Sequence, residues 1–158
     1  MRIEDLGRVR FPESMEEALS KINPNGHDEV NDANFAWSGN CTHCVPAYEL
    51  RKRGYDVSAL PYTDDPNGLS YDPFDAWEEP IIHKTPGSGR EAIERAMASY
   101  GDGARVEIDV GWATSDGSGF DGHVFVAEQR DGKTYFIDPQ NGDADVSWYF
   151  DHVQPGAT

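Results

Sequence analysis

The chain has 158 residues, 37% of them hydrophobic, and its 29 acidic against 13 basic side chains leave a formal charge of −16. That size and apolar content suit one globular domain with a real core, while the charge excludes nucleic-acid binding through phosphates. No apolar run is long enough to span a bilayer, the N-terminal segment lacks a secretory-signal pattern, and two cysteines are too few for a disulfide framework. The acidity fits general solubility first and a basic partner surface second.

An arm over residues 1–12, strand-like around Val9 and Phe11, precedes a first helix from Ser14 to Ile22. Ser14 caps it, Glu17 three residues later completes a capping box, and Met15, Leu19 and Ile22 share one face. Asn23-Pro24-Asn25-Gly26 stops it, and a polar loop follows in which Phe35 and Trp37 pack near the next helix. That helix opens at Asn40 as cap and places Cys41, Cys44, Val45 and Tyr48 at helical spacing. Pro46 removes a backbone donor, which predicts an irregular first turn or a regular start nearer Val45. Arg51, Lys52 and Arg53 complement the dipole at its end, and Gly54 terminates it.

Tyr55 to Leu60 alternates like a strand. Residues 61–80 form a long acidic, proline-rich loop whose Tyr71, Phe74 and Trp77 pack over the core or rim a binding site. A short strand is expected over Ile81 to Lys84. Gly89 to Gly101 reads as a helix with Ala92, Ile93, Ala96, Met97 and Tyr100 on its apolar face. The preceding Pro86-Gly-Ser-Gly lacks the ending of a phosphate loop and reads as a turn. The last third is β-rich, with strands at Arg105 to Trp112, His123 to Gln129 and Thr134 to Ile137. Asp131-Gly132 joins the last two as a hairpin, and the tail segment SWYF reads as a final strand or helical turn.

Chemistry concentrates in two places. Cys41 sits at a helix mouth, where unpaired N–H groups and the positive end of the dipole favour thiolate over thiol and can hold an oxyanion. His123 opens one hairpin strand and Asp138 closes the other, so antiparallel pairing brings them within hydrogen-bonding reach as base and orienter. Singly, each has an ordinary reading: a cysteine as a small buried hydrophobe, a strand-end histidine as polar surface, an aspartate before proline as a turn cap. Together, in the order Cys, His, Asp and each at the end of an element, they favour catalysis. Zinc would need ligands beyond Cys41 and Cys44, and His27, His43, His83, His123 and His152 form no HxxxH pair, so neither metal nor cofactor is expected. A redox Cys-x-x-Cys helix would follow a strand, whereas FAWSGN before Cys41 reads as a loop.

The pattern NC-x-x-C-x-x-A-x-E-L-R-x-R-G-Y-D-V-x-A-L-P, followed by GHVF and then YFIDPQNG, resembles the papain-fold toxin domains of bacterial polymorphic toxins, described as glutamine deamidases. The resemblance covers residues 31–142. It implies an α+β, papain-like cysteine hydrolase fold with N-terminal helices packed on an antiparallel β-sheet, in a single domain over 1–158 whose residues 1–30 are an arm and helix. It implies Cys41 as nucleophile, His123 as base and Asp138 as orienter, with Asn40 and Gln140 neighbouring the site. Papain-like peptidases carry a glutamine shortly before the nucleophile as oxyanion donor. No glutamine precedes Cys41, so Asn34 or Asn40 takes that role beside the Cys41 N–H. Cys44 is the rival nucleophile and is expected to pack beneath Cys41.

The same parts serve deamidation of a protein glutamine, peptide cleavage or acyl transfer to an amine, and pocket shape decides among them. The family favours the deamidase, with protease and transglutaminase behind it and a catalytically silent binding module as the non-enzyme alternative. It further implies a secreted or delivered module acting in the cytoplasm of a recipient cell, on a target protein, with a cognate immunity protein as partner and with neither nucleic acid nor membrane.

Overall fold

The computed structural model describes residues 5–9, 12–26, 35–63, 84, 87–114 and 116–153. The chain is α+β, and it forms two compact units: Met1–Pro80 with Pro139–Asp143, and Ile81–Asp138 with Ala144–Thr158. Asn34, Phe11, the aromatics Tyr71, Phe74 and Trp77, and all but Lys84 of the strand expected over Ile81 to Lys84 fall outside the described residues.

In the first unit, α1 (Met15–Ile22) starts as its capping residues dictate. Ser14 Oγ accepts from the Glu17 N–H at 3.1 Å, and Glu17 Oε2 accepts from the Ser14 N–H at 2.8 Å. Ser14→Ala is expected to lower stability by about 1 kcal/mol, read as a shifted denaturant midpoint at unchanged slope. Met15, Ala18, Leu19 and Ile22 are buried, and α1 packs against α3 (Cys41–Lys52), whose buried face is Cys44, Val45, Ala47 and Tyr48. Each fully buried Leu, Ile or Val of this seam contributes about 1.5–3 kcal/mol. The stretch before α3 holds a short helix, α2 (Phe35–Ser38), where a loop was expected.

α3 begins at Cys41 in spite of Pro46, which lies inside it and has no N–H to give the Thr42 carbonyl. The His43 and Cys44 N–H groups close the first turn on the Asn40 carbonyl, at 2.9 and 3.1 Å. Arg51 does more than complement the helix end. Its side chain is 4% exposed and forks onto Glu13 at 2.7 and 3.0 Å, while also donating to Asp56 at 2.8 Å and the Val57 carbonyl at 2.7 Å. Gly54 follows with φ +91°, a conformation that favours glycine, and turns the chain back.

Tyr55 to Leu60 is not a strand. Only Tyr55 makes a bridge, with Arg8. The backbone groups beyond it are claimed elsewhere: the Ala59 N–H donates to the Ile22 carbonyl at the end of α1, and the Leu60 carbonyl accepts from side chains at the start of α3.

In the second unit, β1 (Arg105–Ala113), β2 (Phe120–Arg130) and β3 (Lys133–Ile137) form an antiparallel sheet in that order, with β2 central. Asp131 and Gly132 at the hairpin have φ of +51° and +74°, as a type I′ turn requires, and the Gly132 N–H is held by Asp102 Oδ1 at 2.9 Å. The register aligns Val106, Ala127 and Phe136, then Ile108 with Phe125 and Val110 with His123, all on one face. That face packs with Ile93 and Met97 of α4 (Arg90–Tyr100) and with Val146, Tyr149, Phe150 and Val153. Tyr149 and Phe150 belong to a 3-10 helix, Ser147–Asp151, so SWYF is a helical turn. Tyr100, expected on the apolar face of α4, is 56% exposed because the helix ends there and the chain turns away at Gly101.

Candidate active site

Cys41 is the first residue of α3 and is half-buried, whereas Cys44, one turn on, is fully buried. The His43 and Cys44 N–H groups are spent on the Asn40 carbonyl, so the backbone donors at the helix mouth, where the positive dipole end also lies, are those of Cys41 and Thr42. A sulfur that attacks a substrate must be reachable, and of the two cysteines Cys41 has the exposed surface.

Asn40 stands at the N-cap, yet its side chain makes no capping bond. It is turned into the unit, fully buried, and its amide pairs reciprocally with that of Asn23, at 3.1 Å from Asn40 Nδ2 to Asn23 Oδ1 and 3.3 Å in return. Asn40 Nδ2 also donates to the Leu60 carbonyl at 3.0 Å, and the Cys44 Sγ–H donates to Asn40 Oδ1 at 3.5 Å. Asn23 Nδ2 reaches two further carbonyls, those of Trp37 and Gln140, both at 3.0 Å. Gln140 is buried and its Nε2 donates to the Ser38 carbonyl. Asn23, Asn40 and Gln140 thus form one buried polar knot that fixes the chain immediately before Cys41. Every carbonyl and amide in it would carry an unpaired-polar penalty of about 1–3 kcal/mol if its partner were lost. The sequence marks Asn23 only as a helix stop, and nothing in its local pattern distinguishes it.

In the second unit, His123 Nε2 and Asp138 Oδ2 lie 2.9 Å apart, with side-chain exposures of 11% and 0%. The hairpin register explains this. Extending the Val126–Ile137 pairing by one residue sets Asp138 opposite Phe125, and His123, two residues away on the same face, is its diagonal neighbour. A carboxylate at Nε2 favours the tautomer that carries the ring proton there. The Tyr149 hydroxyl donates to the same Asp138 Oδ2 at 2.7 Å. Trp112 stacks on His123 with ring centroids 5.5 Å apart and an interplanar angle of 23°, and Tyr149 meets the imidazole edge-on at 5.7 Å. Asp109, exposed on β1, is held above the ordinary carboxylate range by partial desolvation, and the charge of His123 pulls it partly back.

Cys41, Asn40 and Gln140 therefore belong to the first unit, and His123 and Asp138 to the second. Trp112 and Tyr149 were not singled out from the sequence. Their signal was only that aromatics follow one another in the β-rich third, which serves a core equally well.

A protein family described as papain fold toxin 1, glutamine deamidase, matches residues 39–143. No curated protein and no solved structure matches the chain. Asn40, Cys41, His123, Asp138 and Gln140 lie inside the matched span, and Asn23 and Tyr149 lie outside it.

Proposed function

The chain belongs to the papain fold toxin 1, glutamine deamidase, family, and on that premise we propose that it hydrolyses the side-chain amide of a glutamine in a target protein. Cys41 is the nucleophile, His123 the acid and base, and Asp138 the group that orients His123. The observation that carries this reading is the 2.9 Å contact between His123 Nε2 and Asp138 Oδ2, the base–orienter contact that triad chemistry requires.

The Cys41 thiol gives its proton to His123 Nδ1, and the sulfur adds to the carboxamide carbon. The C–N bond then breaks, and the departing nitrogen takes the proton from Nδ1 and leaves as ammonia. Water attacks the resulting thioester while His123 receives its proton, the C–S bond breaks, and glutamate is released with the thiol restored. The oxyanion is held by backbone N–H groups at the start of α3. Asn40 supports them as a positioning residue, since its amide already donates to Asn23 Oδ1 and the Leu60 carbonyl. Gln140 anchors the Ser38 segment ahead of the nucleophile.

The family further supports delivery as an effector acting in a recipient cytoplasm. With a formal charge of −16, a cognate immunity protein would meet this chain through a basic surface. The test is intact-mass analysis of proteins from a sensitive cell lysate after incubation with wild type and with Cys41→Ala. A gain of about one dalton per site, with wild type alone, is the expected result, as amide-to-acid conversion through a thiol requires. Discrete fragments would identify a protease, amine-loaded or cross-linked species a transglutaminase, and identical spectra a binding module.

A further inference from the structure

We propose that Tyr149 is a positioning residue for the His123–Asp138 pair, setting both the orientation of the imidazole and the strength with which Asp138 holds its proton. The assignment deepens the deamidase reading and, for its kinetic part, rests on it.

A buried tyrosine needs some partner for its hydroxyl, and any carbonyl would satisfy that need. Tyr149 does more. Three separate parts of it converge on His123. Its hydroxyl donates at 2.7 Å to Asp138 Oδ2, the oxygen that His123 Nε2 also uses. Its ring meets the imidazole edge-on, at 77° and 5.7 Å between centroids. Its backbone carbonyl accepts from Trp112 Nε1 at 3.4 Å, and Trp112 is itself stacked on His123. Tyr149 is itself fixed by its 3-10 helix, whose N-terminal Val146 N–H donates to the Phe136 carbonyl of β3 at 2.8 Å. Tyr149 is 6% exposed and Asp138 is fully buried, so water does not substitute readily for either donor.

The shared oxygen has a definite chemical effect. Two donors on Oδ2 fix the rotation of the carboxylate about its Cβ–Cγ bond, and a charge-assisted phenol bond draws negative charge toward the tyrosine. Asp138 is then a weaker acceptor for His123 than it would be alone. The ring proton stays on Nε2 as a hydrogen-bond donor, and the basicity of Nδ1 is moderated, which keeps the imidazolium acidic enough to protonate the departing nitrogen.

Tyr149→Phe retains the ring and the backbone carbonyl and removes only the hydroxyl. The measurement is the ring N–H proton of His123 by NMR in protein labelled with 15N-histidine, assigned by its loss in His123→Ala. In Tyr149→Phe the Nε2–H resonance is expected to move downfield, because Asp138 regains acceptor strength. Wild-type protein grown with 3-fluorotyrosine, a stronger phenol donor of nearly the same shape, is expected to move it upfield. On the deamidase reading, Tyr149→Phe also lowers kcat by about tenfold at unchanged KM. A His123 resonance at its wild-type position in both proteins would overturn the assignment. If Tyr149→Phe does not fold, the fluorotyrosine protein decides alone. Since the NMR shift needs no substrate, it stands or falls independently of whether deamidation is found.

Discussion

His123→Ala is expected to lower the rate of glutamine deamidation by about 10⁶-fold, the order lost when the proton-transfer residue of a triad is removed. The imidazole is asked to act three times in the proposed cycle: it takes the thiol proton, gives it to the leaving ammonia, and takes one from water. Among the described aromatic side chains packed on it, Trp112 and Phe125 have no basic atom, and the Tyr149 hydroxyl is committed to Asp138. The measurement is the rate of the one-dalton mass gain on the target identified with wild type, with circular dichroism to establish that the variant is folded. Stability should fall by only about 1–3 kcal/mol, since Asp138 keeps the Tyr149 donor after the histidine is gone. Activity within tenfold of wild type in a folded variant would place the base elsewhere.

Arg51→Met is expected to destabilise the fold by about 3–5 kcal/mol, the cost of removing one partner from a buried ion pair. The Arg51 and Glu13 side chains are 4% and 9% exposed, so the carboxylate left behind has little access to water. Asp56, at 58% exposed, adds little by comparison. The Val57 carbonyl loses its guanidinium donor as well. The effect has a pH signature. The Arg51 hydrogen bond holds Glu13 below the ordinary carboxylate range, against an opposing push from burial and with help from Lys21. A carboxyl depressed in the folded state contributes stability above its unfolded pKa and loses it as pH falls through the folded value. Wild type should therefore lose this contribution on acidification below the ordinary glutamate value of 4.5, whereas Arg51→Met should lack that component. Denaturant melts of both proteins at neutral pH and at progressively lower pH separate the two behaviours.

The pair His123 and Asp138 was legible in the sequence because a two-residue hairpin turn fixes register, and register fixes which side chains are neighbours. The capping box at Ser14 and the helix from Cys41 were legible for the same reason, each being set by residues within a few positions. Tyr55 to Leu60 misled because alternation reports which side chains point one way and not where the backbone hydrogen bonds go. Ile22, Asn40 and His43 claim those bonds, and none of them is a sequence neighbour. Arg51 looked like an ordinary helix-end cation, since its burial depends on Glu13, which lies before α1. Tyr149 and Asn23 were invisible as site residues because each acts across a distance that no local spacing encodes.

The Asn23 knot also has a bearing on when, in the life of the chain, the environment of Cys41 is completed. The Asn23 amide bonds the Gln140 carbonyl across 117 positions, and closing a loop of that length carries an entropic penalty of roughly 4 kcal/mol. During synthesis the segment before Cys41 waits for its last acceptor until a further hundred or so residues, up to Gln140, have left the ribosome. The polar contacts that steady the proposed nucleophile are thus completed late relative to the helix itself, and a nascent chain carries Cys41 well before it carries the contacts that hold it in place.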